Sequence, residues 1–305
     1  MIPSSDFYRH SGKFGIGGAS VALAIGAAVA YLVGWAYVYV ADIMGDIAVV
    51  ATFMSAVVVG AIVGAVLTGA KARNAKLAAV LGALTGLLAV YFDWAIWMHM
   101  MMARGGKQVS SFTFIASPAV LWQLIGAVNQ RGLWSYRSYH PAGTALWILW
   151  GIEAAIIVGT CTWATYSMNS EDPFCETCDA WTKVEKDVIA TAMLDPQAMD
   201  NVFEFKNWEE LAKHPFPDVG PQLHIDLHIC PKCKSFQTLL ARRLEWKKTQ
   251  GKREKKEKTL IPHLLISPSD ADHIRKAAAV LDALDDDDDA GDEPDEKSDA
   301  AKSGR

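Results

Sequence analysis

Four stretches of this chain are long and apolar enough to cross a bilayer, and that fact limits the fold more than any other. They cover residues 15–40, 47–70, 77–102 and 144–168, and one crossing needs about 20 such residues. Buried helices of a soluble protein are the competing reading, but a soluble core rarely holds four such stretches in succession. The first is no cleavable signal peptide, because its apolar run is too long and three more follow. Composition then divides the chain. Of 305 residues, 51% are hydrophobic and 21% charged; nearly all apolar runs precede residue 168 and nearly all the charge follows it. Such a chain is neither disordered, nor a disulfide-rich mini-protein, nor a purely soluble domain.

Lysine and arginine in short loops set orientation. The loop around Asp42 and Asp46 has no basic residue, whereas the next holds Lys71, Arg73 and Lys76. The second loop is therefore expected in the cytoplasm, with both termini. Arg104, Lys107, Arg131 and Arg137 oppose this, since they fall in the long third connection, which this topology puts outside. Within that connection, Ser117-Pro118 reads as a helix start, and the apolar run near 117–130 is too short to span. An interfacial helix is expected there. Trp35, Tyr37, Tyr39, Trp134, Tyr136, Tyr139, His140, Trp147 and Trp150 fit aromatic belts at the membrane surfaces. Small residues recur every four positions at Gly26, Ala30 and Gly34, at Gly60 and Gly64, and at Gly82 and Gly86. These stripes let backbones approach, within one chain or, alternatively, in a homo-oligomer.

Two carboxylates lie inside the spans. Asp93 is nine residues before Met102 and Glu153 nine after Thr144, so both sit about 13 Å from the helix ends. A charged acid there costs at least about 2.5 kcal/mol. The two acids read either as a proton or cation site, with His99 nearer the surface, or as protonated groups bonded between helices.

Past a short linker, the soluble part carries four of the five cysteines as two Cys-x-x-Cys pairs: Cys175 and Cys178, then Cys230 and Cys233. Each pair forms a knuckle aiming two sulfurs at one metal, and four thiolates complete a tetrahedral site. Zinc in a closed, structural site is the favoured reading. Two disulfides, a redox dithiol and a thiolate-bound iron compete. The fifth cysteine, Cys161, reads as a small apolar residue. The paired knuckles resemble the zinc-ribbon class, which implies a small α+β domain with strands beside each knuckle. The spacing departs from it: 51 residues separate Cys178 from Cys230, against about 15–20 in the usual pattern.

The intervening segment reads as helical. Trp181, Val184, Val188, Ile189 and Met193 recur at helix spacing until Asp195-Pro196 breaks the run. A short helix is expected over 207–213, ended by Pro215 and Pro217. Residues 223–229 alternate as a half-buried strand with His224, Asp226 and His228 on a solvated polar face. Strands are expected over 236–248 and 252–266, joined at Gln250-Gly251. Between Arg242 and Lys258 lie nine basic and three acidic residues, a local net of +6. That surface suits anionic lipid. Nucleic acid is disfavoured, with only Trp246 to stack. Ser267, Pro268 and Asp270 open a last helix, and Asp285 begins a polyacidic tail that composition marks as disordered.

The expected fold is an α-helical membrane domain of four transmembrane helices plus a small α+β, zinc-ribbon-like soluble domain. Its parts are an N-terminal segment (1–14), the membrane domain (15–168), a zinc-binding cytosolic domain (169–284) and the tail (285–305). No Walker loop, dinucleotide fingerprint, H-E-x-x-H or G-x-S-x-G occurs, so no catalytic residue is assigned. The chain resembles a bacterial-type multi-pass inner-membrane protein. The expected function is presentation of a structural-zinc module to a protein partner or to anionic lipid. The alternative is a small transporter or proton conductor using Asp93 and Glu153.

Overall fold

A computed structural model describes residues 3–43, 48–132, 141–215, 220–249 and 252–289. It divides into two units, His10–Asp172 and, separately, Met1–Arg9 with Pro173–Arg305. Helices α1 (Ile16–Ile43), α2 (Ala48–Gly69), α3 (Ala75–Arg104), α4 (Ser111–Ile115), α5 (Pro118–Arg131) and α6 (Thr144–Met168) make up the first unit. Four of them, α1, α2, α3 and α6, are long and apolar enough to cross a membrane. In the bundle α1 packs on α2 and α3, and α6 packs on the same two helices, so the spans form a ring. The short helices α4 and α5 lean on α3. Helix α5 starts on Pro118 and stops at Gly132 (φ 80°), as the turn chemistry requires.

The glycine stripes seat these helices on one another inside the chain. A Cβ on Gly60 would lie 2.9 Å from Cys161 Cα. One on Gly82 would lie 2.7 Å from the Cys161 carbonyl oxygen, and one on Gly86 2.8 Å from Val158 Cα. Cys161 is fully buried at this junction, where its thiol meets the Ala56 carbonyl at 3.3 Å. Small residues thus supply the close backbone approach that lipid-facing helices need in order to associate.

The second unit is built on β1 (Phe174–Cys175), β2 (Ala180–Trp181), β3 (Lys183–Ala192), β4 (Gln222–Ile229), β5 (Gln237–Thr249) and β6 (Lys252–Ile266), with α7 (Pro196–Phe203) and α8 (Pro268–Asp289). Strands β3-β4-β5-β6 form one antiparallel sheet in that order, and β1-β2 a small hairpin. Leu223, Ile225, Leu227, Leu239, Leu264 and Ile274 belong to one core closed by α7, α8 and the 3-10 turn Trp208–Lys213. The N-terminus joins this unit. Phe7 pairs with Leu264, Tyr8 N–H donates to the His263 carbonyl (2.9 Å), and the Phe174 N–H reaches the Tyr8 hydroxyl (3.0 Å). The sequence reading set residues 1–14 apart from the soluble domain.

Three local expectations change. The segment expected to be helical after Asp179 is strand: Val184, Val188 and Ile189 are β-branched, and pairing with β4 outweighs a helix-like spacing. Asp195-Pro196 opens a helix rather than ending one, since Asp195 Oδ1 accepts from Ala198 N–H (2.8 Å) with Pro196 at the first position. The last helix runs on to Asp289, into the acidic run; once nucleated, a helix adds one hydrogen bond per residue. The expected turn at Gln250-Gly251, the rest of the tail and the aromatic group Trp134, Tyr136, Tyr139 and His140 lie outside the described residues, as do Asp46, Arg137 and Pro217.

Candidate metal centre

Strands bring the two cysteine pairs together. Cys175 ends β1, which pairs with β2 through Cys175–Ala180, and the chain turns between them with Asp179 at φ 49°. Phe174, fully buried, stands edge-on to Trp181 at 5.0 Å and fixes this hairpin. The other pair spans the β4–β5 connection. There Cys230 N–H donates to the Phe236 carbonyl (2.9 Å), Lys234 N–H donates to the Cys230 carbonyl (3.1 Å), and Lys234 takes φ 56°. The Lys232 ammonium crosses to the Cys178 carbonyl (2.8 Å) and ties one knuckle to the other.

The four sulfurs of Cys175, Cys178, Cys230 and Cys233 all lie within 4.8 Å of one another, and none is in a disulfide. Zinc–sulfur bonds of about 2.3 Å in a tetrahedron put sulfurs about 3.8 Å apart, and Cys175 and Cys233 stand at 4.0 Å. The donor set therefore fits one metal ion. Cys175 and Cys230 are buried, whereas Cys233 is exposed. The Ser235 hydroxyl, with the Phe236 and Ser235 N–H groups, draws the Cys233 thiol down to about 6. Its hydrogen bond to Cys233, then burial, pushes Cys178 up to about 12, and burial likewise raises Cys175. Four crowded thiols resist ionising together unless a cation is added, and such a cation would have four soft ligands.

The polar face of β4 is not solvated as expected. Asp226 and His228 are buried, because β4 is central in the sheet. Arg242 on β5 pairs with Asp226 (2.7 Å), Asp187 (3.2 Å) and Glu257 (2.6 Å). His224 Nδ1 meets Asp187 at 2.8 Å, and His228 stacks edge-on to His263 at 4.8 Å. Asp187 does this from a bulge in β3, at φ 51°, where its own N–H donates to Asp226 (2.8 Å). The face is an ion-pair network, and among the described residues the four cysteines form the one cluster of metal-ligand type.

In the bundle, all four spans send a polar side chain to one place. Tyr37 of α1 donates to Glu153 Oε1 of α6, and Thr52 of α2, buried, donates to the Tyr37 oxygen (3.2 Å). Asp93 of α3 lies against Gly34, where a Cβ would meet its Oδ1 at 2.6 Å. Tyr37 thus finds its hydroxyl partners on neighbouring helices of the bundle. His99 Nδ1 is held at the Val109 carbonyl, and its ring stands edge-on to Trp35 at 5.3 Å. Sequence reasoning found the two acids but missed Tyr37, Thr52 and Asp187. Their roles depend on helix rotation or a bulge, for which no linear pattern exists.

No protein-family model, no curated protein and no solved structure matches this chain.

Proposed function

We propose that the chain is a multi-pass protein of a bacterial cytoplasmic membrane, presenting a zinc-stabilised cytosolic module to a protein partner. The convergence of the four cysteine sulfurs carries this reading. With all four positions taken by thiolate, a metal there has no open site for substrate and serves the fold. Zinc is favoured over disulfides because basic residues in the α2–α3 loop favour a reducing, cytosolic compartment, and over iron because paired Cys-x-x-Cys knuckles are the usual thiolate zinc pattern. Cys175, Cys178, Cys230 and Cys233 would hold it. The test is crosslinking and purification of the full chain from membranes, wild type beside Cys230→Ser. A partner captured only by the wild type supports the reading. Identical captures, or no partner in either, would sink it.

The polar cluster in the bundle favours a second reading, a proton- or cation-conducting protein. Acids inside a membrane face the bundle interior or a water-filled cavity and mark ion pathways and proton relays. Proteoliposomes should then show a flux that Asp93→Asn abolishes; no flux above protein-free vesicles rejects it.

A further inference from the structure

The β5–β6 ribbon outgrows its sheet. Strand β4 pairs with β5 only as far as Gln222–Leu244, yet β5 and β6 stay paired to Thr249–Lys252. Among the described residues nothing else pairs with that distal part. Its register sorts the side chains by face. Leu244 and Trp246 share a face with Lys255 and Glu257, through the pairs Leu244–Glu257 and Trp246–Lys255. At the sheet end, Glu257 is engaged by Arg242, and Leu244 is buried. Past that point the face carries Trp246, 54% exposed, beside Lys255, in a run from Arg242 to Lys258 whose net charge is +6. The opposite face adds Lys256 and Lys258 against Glu245 and Glu254.

From this arrangement we infer that the distal ribbon docks its Trp246 face on an anionic phospholipid surface. Charge complementarity and the tryptophan argue it together. Indole rings partition to the headgroup level, and each lysine or arginine near an anionic surface contributes about 1 kcal/mol. One aromatic flanked by cations suits that surface better than single-stranded nucleic acid, which is bound by stacking successive bases. The chain spans a bilayer itself, and only 169–172 separate α6 from this unit, so such a surface is always at hand. The inference does not depend on the metal centre.

Hydrogen exchange of the full chain in lipid nanodiscs tests it. In equal parts phosphatidylcholine and phosphatidylglycerol, amides of 244–258 should exchange more slowly than in phosphatidylcholine alone, while 223–227 stay unchanged. Lys255→Ala should weaken the docking equilibrium about fivefold, which is the per-charge value above. Trp246→Ala should weaken it too, and 1 M salt, with a screening length of about 3 Å, should abolish it. Equal exchange in the two lipids overturns the proposal. So does protection by a single-stranded RNA oligonucleotide in phosphatidylcholine discs without protection by anionic lipid.

Discussion

Cys230 shows how much one atom can carry in a small unit. Its sulfur is buried between two knuckles that 51 residues of sequence separate. Where a metal closes such a site, its binding free energy is folding free energy. Purified full-length protein should therefore carry about one metal per chain by elemental analysis. Cys230→Ser should lose the metal and unfold the sheet while the helical spans persist in circular dichroism. Removing the metal with a chelator should lower the melting temperature of the sheet alone. A second residue argues a pH effect. Asp270 caps α8 in a reciprocal pair with Ser267 and accepts from the Trp208 indole (2.9 Å). Burial pushes its carboxyl up, but Trp208, the Ser267 N–H and hydroxyl, and Lys206 outweigh it and hold it below the usual range. A depressed folded value means stability present above the unfolded value of about 3.9 and lost as pH falls through the folded one. Denaturant midpoints of the sheet unit should fall below about pH 4 in the wild type. Asp270→Asn should start lower and vary less with pH.

Elements were legible where one local rule decided them. The spans follow from length and apolarity, β4 from its alternation, and β5 and β6 from the turn residues expected between them; all stand within a few residues of where the sequence puts them. The cysteine site was legible because knuckle spacing is itself the chemistry. Strand β3 was not, because Val184, Val188 and Ile189 satisfy helix spacing and strand propensity alike, and β4, some 30 residues on, decides between them. Bundle packing gives a test at this scale. Gly82→Val would press a side chain into the Cys161 carbonyl at 2.7 Å and the Thr165 hydroxyl at 2.8 Å. Overpacking of this kind costs about 1–3 kcal/mol, so the spans should unfold at a lower denaturant concentration in detergent. Gly69→Val meets nothing within 4 Å and serves as the control, with an unchanged midpoint.

At the scale of the molecule, the basic residues of the third connection were the difficulty for orientation. Arg104 forms a two-pronged ion pair with Asp42, so one of those charges is matched within the same end of the bundle. The orientation with the α2–α3 loop inside then predicts a labelling pattern. In intact cells an impermeant thiol reagent should modify Gln108→Cys but not Lys76→Cys, both at exposed positions. The reverse pattern would invert the molecule and remove the reducing compartment on which the choice of zinc over disulfides rests.

Phe7 and Tyr8, which meet β6 and Phe174, make the bundle an insertion in the sequence of the sheet unit. The Phe7 contact of that unit leaves the ribosome before these four helices, and its partners leave after them. Until the fourth helix is in place, Phe7 has nothing to pair with. A chain that mis-threads one crossing strands its two halves on opposite sides of the bilayer, where no later folding can join them. The Phe7–Leu264 bridge thus forms only where both ends of the bundle lie on one side of the bilayer, and a protease that attacks an unbridged N-terminal segment would in effect be proofreading membrane insertion.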